Sequence, residues 1–167
     1  MPHYPVAAVL LLTTVLLAAC ANYDFRVNDE LVYTPAPLFQ DFDIPDAALR
    51  TCVEQAIADG DVRSARQLQM LNCSNAGIAR LDGLATFDAL TSLKLSSNHV
   101  RNLVEIGAIG TLQALYLDHN HIVDPVPLYR LPELRSLDLS HNTALQCPAG
   151  GAVAQVTQLL LPAHCRQ

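Results

Sequence analysis

The feature that most constrains this chain is a 22-residue period that begins at Leu68 and continues to the end of the sequence. In this period, five successive units carry apolar residues at their first, fourth and sixth positions, and Cys73 is the one cysteine among them. A single unit buries too little surface to fold alone, so the units are expected to stack on their neighbours. The three leading columns contain Leu68, Leu71 and Cys73, then Leu90, Leu93 and Leu95, then Leu112, Leu115 and Leu117, then Leu134, Leu137 and Leu139, and finally Val156, Leu159 and Leu161.

The order of residues within each unit predicts a short β-strand followed by a turn. The L-x-L alternation puts both leucines on one face of the strand, and each strand is expected to pair in parallel with the next, about 4.8 Å away. Asn98, Asn120 and Asn142 follow three of the strands, where an amide can bond backbone groups that would otherwise be buried without partners. Pro125 and Pro127 oppose a regular α-helix on the far side of the third unit, so extended or 3₁₀ turns are predicted there.

The segments LTSLKLSSNHV, LQALYLDHNHI and LRSLDLSHNTA resemble the leucine-rich repeat L-x-x-L-x-L-x-x-N-x-L, in the 22-residue form of internalin-like bacterial surface proteins. The preceding IPDAALR is similar to the helical cap of that family. The resemblance covers roughly residues 44–165 and implies an α/β fold. The implied architecture is a leucine-rich repeat solenoid, a short horseshoe with a parallel β-sheet on its concave face, a 3₁₀ or irregular convex side and an N-terminal helical cap.

A short amphipathic helix is predicted just before the repeats, at residues 47–59. Asp46 follows a proline and suits the N-cap position, while Gly60 suits the end of the helix. One apolar face is expected to pack on the first repeat. Its apolar positions at helical spacing are Leu49, Val53 and Ile57.

The N-terminus has the pattern of an export signal. An uncharged, mostly apolar run from Val6 to Ala19 is shorter than the about 20 residues that span a bilayer. It ends in L-A-A-C at Cys20, which resembles the lipobox of bacterial lipoproteins. That resemblance implies cleavage before Cys20, a lipid on this cysteine and, with Ala21 next to it, sorting to the outer membrane in a Gram-negative cell. The segment before the run departs from the usual export signal, because it contains no Lys or Arg. The alternative to a lipoprotein is an ordinary exported protein with a cysteine beside its cleavage site. The predicted regions are a lipoprotein signal peptide at 1–19, a lipidated tether at 20–43, the helical cap at 44–66, and about five repeats with a C-terminal cap at 67–167.

The cysteines are predicted to close both ends of the repeat array. Without Cys20, four remain, and four cysteines allow three pairings. Cys52 lies in the cap helix and Cys73 in the first strand, on which that helix packs. Cys147 lies in the fourth unit, at a repeat position predicted to point into the core from the convex side. Cys165 follows the last strand. We therefore predict Cys52–Cys73 and Cys147–Cys165 disulfides, which an exported chain can form. The alternative is that Cys73 and Cys147 are small buried hydrophobic residues.

The residues between the inward leucines are predicted to form the opposite face of the sheet, where we expect a protein or peptide partner to bind. Tyr116 lies near the centre of this face between Lys94 and Asp138, as expected for an aromatic anchor with a polar rim. Asn72 and Asp118 complete our candidate partner-binding set. The alternative is a serine-rich solvated face on a structural envelope lipoprotein without a dedicated ligand. The outward strand positions are Met70, Asn72 and Ser74, then Ser92, Lys94 and Ser96, then Ala114, Tyr116 and Asp118, then Ser136, Asp138 and Ser140, and finally Gln158, Leu160 and Pro162.

The net charge and the motifs of the sequence argue against two classes of function, nucleic-acid binding and catalysis. A formal charge of −6 and a pI near 5.3 leave no broad basic surface, so we expect no nucleic-acid partner. The sequence contains no Gly-rich phosphate loop, HExxH or GxSxG motif, so we expect no enzyme, no catalytic residue and no cofactor. We expect a monomer anchored in the cell envelope.

Two pairs of histidines occupy equivalent positions in adjacent units. His119 is paired in this way with His141, and His99 with His121, so each pair is expected to lie within several ångströms. Imidazoles at such a distance suit Zn²⁺ or Cu²⁺, yet both pairs fall in turns where polar residues are ordinary. Metal binding by these pairs is left open, and no residue is assigned as a metal ligand.

Overall fold

The structure, a computed structural model, describes residues 25–28, 30–33 and 36–165, and the chain divides into two compact units, Met1–Pro37 and Leu38–Gln167. The predicted signal peptide and Cys20 lie outside the described residues. In the first unit, β1 (Phe25–Val27) pairs antiparallel with β2 (Glu30–Tyr33), where the sequence predicts an irregular tether. Asn28 follows β1 with φ of +51°, a left-handed conformation that asparagine tolerates in turns. Such a short hairpin leaves no apolar period by which the sequence would reveal it.

The second unit begins with an N-terminal cap built around helix α1 (Ala47–Asp59). Asp46 caps its first turn, Gly60 is its C-cap residue, and the predicted apolar face is buried, so this helix is confirmed. No helix among the described residues is long and apolar enough to cross a membrane. The packed region starts at Leu38 and not at Ile44 as predicted, because Phe39 and Phe42 pack in aromatic contacts on the buried Phe87 of the first repeat.

Five short parallel strands form the sheet of the repeats, in the order of the sequence. Leu71, Leu93, Leu115, Leu137 and Leu159 lie opposite one another in successive strands, which is the register that the 22-residue period predicts. The leucines of the three central strands are fully buried or nearly so. The predicted leucine-rich repeat solenoid is therefore confirmed. The strands are β3 (Met70–Asn72), β4 (Ser92–Lys94), β5 (Ala114–Tyr116), β6 (Ser136–Asp138) and β7 (Gln158–Leu160).

The convex side consists of turns and 3₁₀ segments, as predicted. Single 3₁₀ turns occur at Leu84–Thr86 and Ile106–Ala108, and a longer one at Val126–Arg130 follows the buried Pro125. A proline can begin such a turn because its missing N–H needs no partner there. Each segment contributes one fully buried side chain to the core, namely Leu84, Ile106 and Leu128.

The asparagines form a buried ladder along the ends of the strands. Asn98, Asn120 and Asn142 are at most 4% exposed. Nδ2 of Asn98 and Nδ2 of Asn120 both donate to the Leu95 carbonyl at 2.9 Å. In the same way, Asn120 and Asn142 both donate to the Leu117 carbonyl, at 3.1 and 2.9 Å. Each asparagine therefore joins its own unit to the preceding one and satisfies backbone groups that lie away from water.

The two predicted disulfides are present, one at each end of the repeat array. Cys52–Cys73 joins α1 to the loop after β3, and Cys147–Cys165 joins the fourth unit to the segment after β7. The sequence separations are 21 and 18 residues. Cys73 is buried at 2% exposure, as its column predicts.

The fourth and fifth units depart from the predicted columns at two positions. Cys147 is exposed and does not point inward, and Leu145 fills the core instead. The Leu145 N–H donates to the Asn142 carbonyl at 3.1 Å, and this tight turn moves the inward position one residue past Ala144. Pro162, predicted to be outward, is buried because the strand has ended and a 3₁₀ turn begins there.

Asp46 connects the cap to the first repeat. Its Oδ1 accepts from the Leu49 N–H in α1, and its Oδ2 accepts from the N–H groups of Ala79 and Arg80, each at 3.0 Å. Burial alone would raise the pKa of Asp46, but these backbone hydrogen bonds outweigh it and lower the pKa below its ordinary value of 3.8.

We expect Asp46→Ala to reduce the free energy of unfolding by about 2 kcal/mol at pH 7, because a helix cap and a link to the first repeat are lost together. Since the pKa is lower in the folded state, the charge-dependent part of this contribution is complete above pH 3.8 and is lost as the pH falls through the lower pKa of the folded protein. Urea unfolding of both proteins between pH 7 and pH 3 measures the difference. Asp59→Ala, at the exposed last turn of α1, is the control and should change little. A difference that grows on acidification would contradict the assignment.

Candidate functional site

The outward side chains of the five strands form one continuous face, which we call the concave face. They lie there because inward and outward residues alternate along each strand. The register places one outward residue of each strand opposite the next, so a single row crosses all five strands. This row, the anchor row, consists of Asn72, Lys94, Tyr116, Asp138 and Leu160.

Tyr116 occupies the centre of the anchor row, as the sequence predicts. Its ring is half-buried, and the Nζ atom of Lys94 lies 5.2 Å from the ring centroid, a distance typical of a cation–π contact. Asp138 flanks it from the other side, and its Oδ1 accepts from the Ser140 N–H at 2.9 Å. The centre of the face therefore presents an aromatic ring between a cation and a carboxylate.

Asp118 lies one outward position beyond Tyr116. Its carboxylate accepts from the Ser96 hydroxyl and from Nδ1 of His119, the latter at 3.0 Å. Burial would raise the pKa of Asp118, but the hydrogen bonds from Ser96 and His119 outweigh it and hold the pKa below the ordinary value. The carboxylate is therefore charged at neutral pH, and the centre of the face is slightly acidic.

Four of the five predicted partner-binding residues thus lie in the anchor row, and the fifth is next to it. Asn72 is at the edge strand, where its Oδ1 accepts from the Ser74 hydroxyl at 2.9 Å. The predicted set omits two exposed apolar side chains of this face, Met70 at 74% and Leu160 at 54% exposure. Both residues occupy outward positions of the repeat period. A large apolar side chain at a position predicted to face solvent is the sequence signal that could have identified them as binding residues.

A pocket of about 450 Å³ lies in the N-terminal cap, and nothing in the sequence predicts it. It forms where the chain before Ile44 folds back on α1. None of its residues belongs to the concave face. Its walls include Leu38, Phe39, Phe42, Arg50, Glu54 and Ile57.

The equivalent histidines are close together, as predicted. The rings of His119 and His141 stack with centroids 3.9 Å apart, and those of His99 and His121 stack at 5.4 Å. All four side chains are exposed in the turns after the strands.

Only one group in the described part of the chain brings three potential metal-ligand atoms within 4.8 Å of one another. It consists of Cys147, His164 and Cys165, and both of its sulfurs are bonded to each other in a disulfide. Metal ligation requires thiolates, so this group is not a metal site in the oxidised protein.

The parallel sheet, its 22-residue register and the asparagine ladder define the chain as a leucine-rich repeat solenoid. No family model and no curated protein matches it. It resembles the crystal structure of an internalin (inlF) from Listeria monocytogenes str. 4b F2365, with 22% sequence identity, a TM-score of 0.61 and 72% of this chain covered. Internalin C2 from the same organism matches with 26% identity, a TM-score of 0.45 and 50% coverage. The chain spans 37% of the length of each of these two structures.

Proposed function

We propose that the concave face binds a protein or peptide partner and that this role is non-catalytic. The observation that carries the proposal is the anchor row, in which a central aromatic side chain lies between opposite charges on five rigid strands. Tyrosine in such a setting supplies a large contact area with few rotatable bonds. The contact of Lys94 with Tyr116 and the hydrogen bonds of Asp118 hold these groups in place before a partner arrives. Less conformational entropy is then lost on binding.

The dimensions of the face favour a peptide or a protruding loop as the ligand. Five strands at about 4.8 Å spacing span roughly 20 Å, which is smaller than a standard interface between two globular proteins. A basic group of the ligand would meet the carboxylates of Asp118 and Asp138. An apolar group would find Tyr116 and, at one edge, Leu160.

The location that we propose is the cell envelope, with a lipid on Cys20 as the membrane anchor and the outer membrane as the destination in a Gram-negative cell. The support is the L-A-A-C motif after an uncharged, mostly apolar run. The intact mass of the mature protein tests this directly. A diacyl or triacyl addition on an N-terminal Cys20 is the expected result, and a mature chain with an unmodified cysteine would exclude the anchor.

The test of the partner-binding face is capture from an envelope extract after chemical crosslinking. We expect Tyr116→Ala combined with Asp138→Ala to weaken capture about 30-fold, the effect of an interface hot spot of about 2 kcal/mol. The chain offers a matched control on its convex side, Tyr129→Ala combined with Asp124→Ala. Like Asp138, Asp124 accepts from the N–H two residues further on.

A single stoichiometric partner that the control variant retains and the anchor-row variant loses supports the proposal. Undiminished capture by the Tyr116 and Asp138 double variant would contradict it. Diffuse association of both variants with many envelope proteins would favour the structural envelope role instead.

A further inference from the structure

We propose that His119 and His141 form a binding site for a divalent transition-metal ion, with Cu²⁺ as the preferred ion. The two imidazoles stack at a centroid distance of 3.9 Å with an interplanar angle of 13°. This site is separate from the anchor row and goes beyond the partner-binding function. It lies in the turns that follow β5 and β6.

The backbone holds the two histidines side by side. Both have positive φ, 53° for His119 and 60° for His141, so the turns that carry them have the same shape. The His119 N–H donates to the Ser140 carbonyl at 3.1 Å, which joins the two turns directly. Because the backbone is fixed in this way, only the side-chain torsions of the two rings need to adjust when an ion binds.

The spacing of the rings suits a shared ion. An imidazole nitrogen lies about 2.0–2.1 Å from a bound metal, so two nitrogens on one ion are at most about 4.2 Å apart. An imidazole nitrogen binds a metal through a lone pair in the plane of its ring, so the lone pairs of the two stacked rings run nearly side by side. Both rings must turn about their side-chain torsions to direct these lone pairs at one ion, and the 3.9 Å separation of the ring centroids brings the two imidazoles close enough for such a shared ion.

Asp118 orients one of the two ligands. Nδ1 of His119 donates to the Asp118 carboxylate at 3.0 Å, which selects the tautomer that leaves the lone pair of Nε2 available. A carboxylate behind a metal-ligating histidine is the usual arrangement in protein metal sites, where it fixes the ring and increases its basicity. Asp118 is itself held by the Ser96 hydroxyl.

The donor set determines the class of metal. Two imidazoles with open positions for water suit Cu²⁺, Ni²⁺ and Zn²⁺, and for such a site affinity rises from Mn²⁺ through Ni²⁺ to Cu²⁺. Both rings are exposed, so an ion can reach them from solvent. Because only two protein ligands take part, binding should be reversible and weaker than at a closed four-ligand site.

The second histidine pair provides a control within the same chain. His99 and His121 have the same relation to each other in sequence and are also exposed, but their ring centroids are 5.4 Å apart. That separation exceeds the span that one ion can bridge without a larger rearrangement. We therefore assign the tighter site to His119 and His141.

The experiment is a titration of the untagged full chain with Cu²⁺, Ni²⁺ and Mn²⁺, followed by calorimetry and by electron paramagnetic resonance of the copper complex. Every protein in this experiment carries Cys20→Ser, because Cys20 is outside the two disulfides and a free thiol would reduce Cu²⁺. The test variants are His119→Asn and His141→Asn, because asparagine tolerates the positive φ of these positions. The control is His99→Asn combined with His121→Asn. Circular dichroism checks that each variant remains folded.

We expect wild type and the His99 and His121 control to bind one Cu²⁺ with equal affinity and with nitrogen coupling in the resonance spectrum. Affinity should fall at least tenfold in each test variant and about tenfold in Asp118→Asn, as for removal of an outer-shell carboxylate. The wild type should bind Ni²⁺ more weakly than Cu²⁺ and should not bind Mn²⁺ at the same concentrations. Equal Cu²⁺ affinity in wild type and both test variants, or a loss confined to the His99 and His121 control, would overturn the proposal.

Discussion

Replacement of Asn120 by alanine is expected to lower the free energy of unfolding by about 3 kcal/mol, the upper end of the cost of leaving a buried backbone N–H without a partner. Oδ1 of Asn120 accepts from the Val100 N–H at 2.9 Å, and Nδ2 donates to the carbonyls of Leu95, Leu117 and Asp118. In the variant, the buried Val100 N–H loses its side-chain acceptor. The two leucine carbonyls keep one asparagine donor each, from Asn98 and Asn142.

Urea unfolding followed by circular dichroism measures this loss. Asn102→Ala is the matched control, because Asn102 is exposed and makes a single hydrogen bond, from the Val104 N–H to its Oδ1 at 2.9 Å. We expect the control to cost less than about 1 kcal/mol, since solvent satisfies an exposed N–H. Similar losses of unfolding free energy in the two variants would show that Asn120 in the asparagine ladder contributes no more to stability than the exposed Asn102.

Removal of the Cys52–Cys73 disulfide is expected to cost about 3 kcal/mol, because the bridge closes a loop of about 20 residues in the unfolded chain. The double variant Cys52→Ala and Cys73→Ala also loosens the attachment of α1 to the loop after β3. Cys73 belongs to the buried cluster, so its replacement by alanine leaves a small void as well. Unfolding under oxidising conditions gives the change in stability.

The second disulfide is the natural comparison. Cys147–Cys165 closes a loop of similar length, yet Cys147 is exposed and Cys165 only half-buried. The double variant Cys147→Ala and Cys165→Ala should therefore lose the loop-closure contribution alone and be less destabilised than the first. If the Cys52 and Cys73 variant unfolds at the urea concentration of the wild type, the N-terminal bridge does not stabilise the fold.

Much of the candidate site was predictable because the repeat period determines two things at once. It assigns each residue to the inward or outward face, and it places residues 22 positions apart next to each other. Asn72, Lys94, Tyr116 and Asp138 follow from this rule, and so does the proximity of His119 to His141. The hydrogen bond between Asp118 and His119 did not follow, since it depends on side-chain torsions within the turn.

The structure departs from the predictions where the 22-residue period ends or becomes irregular. Phe39 and Phe42 pack on Phe87 through contacts between residues far apart in sequence, and no local sequence pattern predicts such contacts. Leu145 takes the inward position because a tight turn after Asn142 changes the spacing by one residue. The pocket beside α1 arises from the same folding back of the chain before Ile44.

The spacing of leucines and asparagines was thus enough to predict the solenoid and its parallel register, because each unit must stack on a similar neighbour to bury its apolar face. The cap helix was predicted from its capping residues and its apolar positions at helical spacing, and the cysteine pairing from the places of the four cysteines at the two ends of the array. The tertiary structure alone decided the stacking distances of the two histidine pairs, the hydrogen bonds of Asp118 and the packing of residues 38–44 on the cap. These features depend on torsions and long-range contacts that differ from unit to unit, and a repeated pattern contains no information about such differences.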